Sequence, residues 1–410
     1  MLNALWFGFF AVAFMAAVAS ALFNGDVTVF DRLVVSVFDM ARLSAEIALG
    51  LVGLLAFWCG LLKIAERSGI ASGLGRLLGP LFTRLMPEVP KNHPALGLIT
   101  LNMASNILGL DNAATPVGIK AMQSLQTLNK DPETASNAQI LFLVLNTSSV
   151  TLFPVTIIMY RAELGAVAPT DIFLPILLAT SASTLVGLIA VALVQRIRLW
   201  QPVLLAYFAS AFALLAAILY ALWALPPERL TQVSSTVGNG LLFTTIVAII
   251  SVAFWRKIKV YDEFIDGAKE GFQLAVTIIP YLVAMLVAIG VLRASNVLQA
   301  VTDGLAWLVS KAGLDTAFIE ALPTAIMKPF SGSGARAMML ETMDTHGVDA
   351  FVSKVAAVMQ GSTETTFYVL TVYFGAVGIK RVRHAIGCGL VADVAGIVAA
   401  VVVSYWFFVP

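Results

Sequence analysis

Two polar runs interrupt otherwise apolar stretches of this sequence. One reads Asn-Thr-Ser-Ser-Val-Thr at 146–151 and precedes Pro154, and the other reads Gln-Gly-Ser-Thr-Glu-Thr-Thr at 360–366. Proline removes a backbone donor and opens a helix. A charge at the centre of a bilayer costs at least about 2.5 kcal/mol, so it needs a partner or a wet cavity. Glu364 is therefore predicted to coordinate a substrate or a cation.

Two further polar runs divide weaker apolar stretches, at about 94–128 and 317–345. The first stretch contains Asn-Met-Ala-Ser-Asn and Asp-Asn-Ala-Ala-Thr, and the second contains Lys-Pro-Phe-Ser-Gly-Ser-Gly-Ala-Arg at 328–336. Glycine and small hydroxyl residues let a backbone unwind, and an open helix N-terminus suits an anionic or carbonyl group. The Ser-Gly-Ser-Gly run lacks the Lys-Ser/Thr of a P-loop, so nucleotide hydrolysis is not predicted.

These runs predict one substrate or ion site made of amides, hydroxyls and a few charges. Its candidate residues are Asn102, Asn106, Asp111, Asn112, Thr115, Asn146, Thr147, Ser148, Ser149, Lys328, Ser331, Ser333, Arg336, Gln360, Ser362, Thr363, Glu364 and Asp393. Asp393 is a second candidate proton or cation carrier, or else the partner of a neighbouring base. For Glu364 the alternative is an ion pair with Arg336 or Lys328 that only locks the second hairpin.

The remaining reactive side chains indicate no metal or catalytic chemistry. Cys59 and Cys388 lie in apolar stretches, and the three histidines show no zinc-ligand spacing. We therefore predict no metal site, no disulfide and no cofactor, apart from a coupling ion, H⁺ or Na⁺. Glu364 has no paired base or nucleophile at a suitable spacing, so the chain is predicted not to be an enzyme.

The composition places the chain in a membrane. Hydrophobic residues make up 59% of the 410 residues, charged residues 12%, and the mean hydropathy is +0.91. Apolar segments of about 20 residues, long enough to cross a bilayer, recur throughout. We predict an all-α polytopic membrane protein. Its net charge of +1 provides no basic face, so its expected partners are membrane lipids and a small-molecule or ion substrate, without nucleic acid.

The apolar segments predict about nine full spans. They are expected near 2–23, 44–64, 137–160, 171–195, 200–224, 236–255, 273–292, 350–377 and 384–408. The two weaker stretches are predicted to be re-entrant hairpins, because broken backbone at membrane depth is tolerated only inside protein or along a cavity. Amphipathic stretches at 70–86 and 297–312 are predicted to lie in the membrane interface.

The loop charges predict the orientation in a bacterial inner membrane. The basic loops at 67–91, 196–198, 256–259 and 380–383 all fall on one side if the nine spans alternate and both hairpins re-enter. By the positive-inside rule that side is cytoplasmic. The N-terminus is then cytoplasmic and the C-terminus periplasmic or extracellular. The loops at 161–170, 226–235 and 344–349 are expected on the outer side.

Parts of the sequence occur twice. Asp39 and Asp266 begin similar tetrapeptides 227 positions apart, Ala114 and Ala335 match at 221, and later threonines match at 215. A gradually shrinking offset is typical of two copies of one unit with small loop deletions. Because only the first copy has a strongly basic loop after its first span, we predict that the two copies have inverted topology.

The repeats define the predicted domains. Residues 1–28 form an N-terminal transmembrane helix, 29–198 form repeat 1, 199–258 form linking transmembrane helices and 259–410 form repeat 2. Each repeat is predicted to contain one re-entrant hairpin and one broken transmembrane helix. Small residues in the last span would allow close packing in a homo-oligomer.

Several strings carry a family resemblance. Residues 1 to about 195 resemble spore maturation protein A, and residues from about 236 resemble spore maturation protein B. The matching strings lie at 87–94, 110–122 and 146–149 for the first, and at 280–285, 331–334, 360–368 and 374–379 for the second. Both halves are similar to the Gate, or nucleoside-recognition, domain of concentrative nucleoside transporters and of the ferrous-iron transporter. The resemblance implies two Gate-type repeats that meet to form a transport path.

Two function classes follow from these observations. The first is a transporter or permease of a small polar or charged solute, with its site between inverted repeats at the bilayer midplane. The alternative is a membrane scaffold or an accessory subunit in spore or cell-envelope maturation. Polar residues at both breaks of both copies favour transport, because a scaffold could fill those positions with leucine.

Overall fold

The computed structural model describes residues 2–107 and 111–408, without the side chains of 2–5, 71, 111–113 and 227–228. The described part is built of helices and contains no strand. The helices are α1 (Leu2–Asn24), α2 (Val29–Ser68), α3 (Ile70–Leu85), α4 (Pro94–Ile107), α5 (Asp111–Gln126), α6 (Asn137–Thr147), α7 (Val155–Glu163), α8 (Phe173–Gln195), α9 (Pro202–Trp223), α10 (Pro227–Trp255), α11 (Val260–Ala294), α12 (Val297–Lys311), α13 (Leu322–Met327), α14 (Gly332–His346), α15 (Phe351–Gly361), α16 (Thr366–Gly375) and α17 (Ala385–Phe407), with a 3-10 turn at Ile319–Ala321.

The membrane-spanning architecture is confirmed. In the described part of the chain, seven helices are long and apolar enough to cross a bilayer, namely α1, α2, α8, α9, α10, α11 and α17. They account for seven of the nine predicted spans. The other two, at 137–160 and 350–377, are each divided into two short helices, α6 with α7 and α15 with α16. The divisions fall at the polar runs, where the sequence predicts them.

The long helices α2 and α11 begin the two sequence repeats and pack along each other. A Cβ added at Gly267 would lie 2.5 Å from the carbonyl oxygen of Cys59, and one at Gly271 would lie 2.5 Å from that of Leu55. Residue numbers rise along α11 where they fall along α2, so the helices are antiparallel. Antiparallel packing of repeat-equivalent helices supports the predicted inversion.

The turn that ends each of these helices is also repeated. Ser68 and Ser295 both donate their hydroxyl to the carbonyl three residues earlier, at 2.9 Å in each case. The next residues, Gly69 and Asn296, have φ values of 68° and 63°, in the left-handed region that glycine and asparagine tolerate best. Each turn leads into a separate amphipathic helix, α3 or α12, as predicted.

Three of the four predicted basic loops lie close together, at what we call the basic end. Arg84 and Arg196 line one cleft, and the adjacent Gln195 contacts the ring nitrogen of His384 at 3.0 Å. His384 directly follows the basic turn at 380–383. The loops expected on the outer side meet elsewhere, at what we call the acidic end: 161–170 contacts the 344–349 loop through Arg161 and Val348, and it contacts 226–235 through Thr170 and Ser235. This grouping is the one that alternating spans predict.

Candidate functional site

The first break starts at the end of α6, where two side-chain hydroxyls donate hydrogen bonds to a backbone carbonyl of the helix. The hydroxyls of Thr147 and Ser148 both donate to the carbonyl of Val144, at 2.9 and 2.8 Å. Such bonds bend a helix or offer its backbone an alternative to the regular ladder. Pro154 then sits at the start of α7, where its missing N–H is tolerated. Residues 148–154 are therefore non-helical.

The second break has the same character. The hydroxyl of Ser362 donates to the carbonyl of Met359 at 2.8 Å, and the chain is non-helical from 362 to 365. The backbone N–H of Glu364, within this break, donates to the carbonyl of Thr147 at the first break at 2.8 Å. The two breaks therefore touch through their backbones, one from each repeat.

Each break is also bonded to the hairpin of its own repeat. The N–H of Leu152 donates to the carbonyl of Ile107 at 3.1 Å, and the N–H of Phe367 donates to that of Pro329 at 2.9 Å. Leu152 and Phe367 are 215 positions apart, the offset that the repeated threonines show. Both repeats thus use the same contact to bring a hairpin tip against an unwound span.

These four segments line a partly open cavity of about 140 Å³. Its predicted site residues are Asn106, Ser149, Lys328, Arg336, Gln360, Thr363 and Glu364. Further lining comes from Thr151, Phe153, Pro154, Val155, Thr156, Ile157, Tyr160, Gly332, Met339, Gly361 and Thr365. The structure therefore brings residues from both breaks and both hairpins to one place.

Charged side chains in the cavity do not all neutralise one another. The Arg336 guanidinium lies 5.5 Å from the centre of the Tyr160 ring. Among the described ion pairs none joins Glu364 to Arg336, so the structure does not show a locking pair between these two residues. Glu364 is exposed, so a solute in the cavity can reach its side chain.

One buried polar atom beside these charges, Oε1 of Gln360, has no hydrogen-bond partner in the described part of the chain. The side chain of Thr363, which is also buried, interacts with the carboxylate of Asp393. Gln360 is 6% exposed and Thr363 is 4% exposed. A buried polar atom without a partner costs about 1–3 kcal/mol, so Gln360 would gain stability if its side chain turned toward a polar group in the cavity.

The predicted amides form a network behind the cavity. Nδ2 of Asn106 donates to Oδ1 of Asn146 at 2.9 Å, and the hydroxyl of Tyr373 donates to the same oxygen at 3.3 Å. Asn102 donates to the carbonyl of Ala114 at 2.7 Å and joins the two arms of the first hairpin. Of the three amides only Asn106 lines the cavity. Asn102 and Asn146 therefore support the site from behind.

Other predicted site residues form hydrogen bonds at the ends of helices. Ser331 caps α14 by accepting the Gly334 N–H at 3.0 Å, and Ser333 contacts the Ser331 hydroxyl at 3.2 Å. Asp393 is buried and accepts from the Thr366 hydroxyl at 2.7 Å. Residues that stay outside the cavity lining are Asn102, Thr115, Asn146, Thr147, Ser148, Ser331, Ser333, Ser362 and Asp393. The side chains of Asp111 and Asn112 lie outside the described part of the structure.

Sequence reasoning missed a buried charge network at the acidic end. Arg161 is 0% exposed and pairs with Asp171 at 3.0 Å and with Asp349 at 3.1 Å. Lys354 pairs with the other oxygen of Asp171 at 2.9 Å. The cavity residues Tyr160 and Thr156 were missed too. Tyr160 and Thr156 lie in an apolar helix. The charged residues near the helix ends were the only sequence signal for the buried network.

A second set of charges joins the repeats at the basic end. Lys380 pairs with Glu133 at 2.6 Å and Arg381 with Asp131 at 2.9 Å, and all four side chains are largely exposed. Hydrogen bonding to Thr134, helped by Arg381, holds the pKa of Asp131 below its ordinary value. We call this set the exposed clasp, and the Arg161 network the buried clasp. Both link repeat 1 to repeat 2.

Comparison with known proteins gives two relatives. The chain is 44% identical over 163 residues to spore maturation protein B of Bacillus subtilis (strain 168), covering 40% of this chain and 90% of that protein. It is 39% identical over 183 residues to spore maturation protein A of the same organism, covering 45% of this chain and 90% of that protein. Each relative matches a part of the chain, as in a fusion. No solved structure matches significantly.

The family match spans both repeats. The Gate family, described as nucleoside recognition, matches residues 48–167 and 275–380, together more than half of the chain. These ranges include both hairpins, both breaks and every described residue that lines the cavity. This multi-pass membrane protein belongs to the Gate, or nucleoside-recognition, family.

Proposed function

We propose that the protein is a permease or secondary transporter for a small polar or charged solute. The observation that supports this most is the cavity at the contact between the two breaks, with Arg336 and Glu364 in its wall. Charges and unpartnered polar atoms in a membrane protein mark solute or ion pathways. The location that fits is a bacterial inner membrane, with the N-terminus cytoplasmic and the C-terminus periplasmic or extracellular.

The two clasps suggest how access could alternate. The buried clasp and the exposed clasp each join one repeat to the other, and they belong to opposite sets of loops. A transporter that rocks its repeats around a fixed site must open the contacts on one side while those on the other side hold. We propose that each clasp closes one side. No cofactor is assigned, and an H⁺ or Na⁺ gradient is the proposed driver, with buried Asp393 as a candidate carrier.

The names of the two relatives favour a second candidate, a role in spore or cell-envelope maturation without transport. A scaffold needs close helix packing, which α2 and α11 provide, but it has no use for charges around a cavity. The cavity therefore favours transport, and the proposal contains no covalent chemistry.

Uptake by proteoliposomes tests this choice. Purified protein is reconstituted and assayed with labelled uridine, L-alanine, L-alanyl-L-alanine, succinate and Mn²⁺, under imposed H⁺ and Na⁺ gradients and without them. We expect uptake of at least one of these solutes above that of protein-free liposomes. Absence of uptake for all of them, in protein that remains folded by circular dichroism, would favour the scaffold.

A further inference from the structure

Two opposite charges face the same cavity without forming a pair. Arg336 and Glu364 both line it, and no described ion pair joins them. Lys328, the third charged residue in the wall, is 5% exposed and interacts electrostatically with the buried carboxylate of Asp393. The accessible charges are therefore one positive and one negative.

The positive side of the cavity suits a carboxylate. The Arg336 guanidinium presents a planar set of N–H donors that matches two carboxylate oxygens, and the Tyr160 ring, 5.5 Å from it, limits its orientations. Gly332, the first residue of the 15-residue helix α14, also lines the cavity. The positive end of the α14 dipole therefore adds to the attraction for an anionic group.

The negative side suits a primary ammonium group. Glu364 supplies a carboxylate, and Gln360, whose side-chain oxygen has no described partner, lies in the same wall. An ammonium group has three donors and no acceptor. The two carboxylate oxygens of Glu364 and the side-chain oxygen of Gln360 are acceptors of the kind that such a group needs when it leaves water.

We infer that the cavity binds a small zwitterion that carries one carboxylate and one primary ammonium group. This inference rests on the proposed function and specifies its substrate class. In this inference the carboxylate of the solute contacts Arg336 and the start of α14, and its ammonium group contacts Glu364 and Gln360. The cavity volume of about 140 Å³ leaves room for a solute of the size of alanine or serine.

Calorimetric titration of the purified full chain with matched probes tests the inference. L-Alanine and L-serine carry both groups, propionate lacks the ammonium group of alanine, and ethylamine lacks its carboxylate. We expect the two zwitterions to bind, and the single-charge analogues to bind about tenfold to hundredfold more weakly. Propionate binding as tightly as alanine, or no binding of either zwitterion, overturns the inference.

Three variants locate the binding. Arg336→Gln and Glu364→Gln should each weaken alanine binding by about tenfold to hundredfold, because each leaves one charged group of the ligand unpaired. Glu46→Gln, which changes an exposed glutamate paired with Arg42 on α2, should leave it unchanged. If Arg336→Gln fails to fold, the variant Arg336→Lys, which keeps the charge, is tested in its place. Native alanine affinity in Glu364→Gln overturns the assignment.

Counterflow of labelled L-alanine separates this inference from the proposed function. Alanine binding that depends on Glu364, without flux of any solute, would refute transport and keep the zwitterion site. Flux of uridine or succinate that depends on Glu364, without alanine binding, would keep transport and overturn the zwitterion.

Discussion

The backbone N–H of Glu364 lies 2.8 Å from the carbonyl oxygen of Thr147. This bond joins the unwound segment of repeat 2 to the end of α6 in repeat 1. It fixes where the Glu364 side chain begins, at the wall of a cavity that both repeats build. Movement of one repeat relative to the other must therefore change the surroundings of this carboxylate.

The buried clasp should contribute strongly to stability. Replacing Arg161 by Met leaves Asp171, which is 1% exposed, with an incompletely compensated charge. Removing one partner of a buried pair typically costs about 3–5 kcal/mol. We expect a clear drop in the thermal unfolding temperature of the protein in detergent. The control Arg42→Met affects only an exposed pair with Glu46 and should cause no measurable change. Equal unfolding temperatures for the two variants would contradict the role of the buried clasp.

The exposed clasp should weaken in acid. The pKa of Asp131 is below its ordinary value of 3.8 because of hydrogen bonding to Thr134, with a smaller effect of Arg381. A lowered folded-state pKa contributes stability above the ordinary value, and this contribution is lost as pH falls through the lowered pKa. After correction for intrinsic rates, hydrogen exchange of residues 127–136 should be slower in the native protein than in Asp131→Asn at about pH 6. The two proteins should become alike well below pH 3.8. The same difference at both pH values would count against the clasp.

The close contact of α2 with α11 should not tolerate a side chain. A Cβ at Gly271 would lie 2.5 Å from the Leu55 carbonyl, so the helices must separate. We expect Gly271→Ala to lower the free energy of unfolding by about 1–3 kcal/mol, as overpacking usually does. Gly53 in α2 has nothing within 4 Å of an added Cβ, so Gly53→Ala is the matched control and should be neutral. Urea titration of both variants in mild detergent measures the difference.

The inverted topology can be tested by labelling in cells. With the buried Cys59 and Cys388 replaced by Ala, a cysteine at Glu88 should react only with a reagent that reaches the cytoplasm. A cysteine at the exposed Leu314 should react with an impermeant maleimide from outside. Reaction of both from the same side would exclude the inversion.

The breaks and hairpins could be predicted because unwinding has a local cause. Glycine, proline and hydroxyl residues that bond to nearby carbonyls weaken a helix wherever it packs, so the runs at 146–151 and 360–366 are visible in the sequence alone. The antiparallel directions of α2 and α11 agree with the inversion that the repeat offset and the loop charges predict, whereas their packing against each other was not predicted. For these reasons the elements that surround the site could be predicted from the sequence.

The details of the site could not be predicted, because they depend on contacts between distant segments. The bond from Glu364 to Thr147 involves only backbone atoms, and any residue types could form it. Tyr160 lies in a short helix with no unusual sequence, yet the fold places it beside Arg336. Whether Glu364 pairs with a nearby cation depends on side-chain positions that the order of residues does not determine.

The most direct test of the account is flux through the Glu364→Gln variant. Native protein, this variant and Glu46→Gln are reconstituted at equal density, and initial rates of counterflow are measured for labelled L-alanine, uridine and succinate. We predict that the native protein and Glu46→Gln carry the same solute at similar rates, and that Glu364→Gln loses at least about nine-tenths of that rate, a barrier increase of about 1.4 kcal/mol or more. Native flux through Glu364→Gln would contradict the central claim that this carboxylate, in the cavity between the repeats, handles the transported solute.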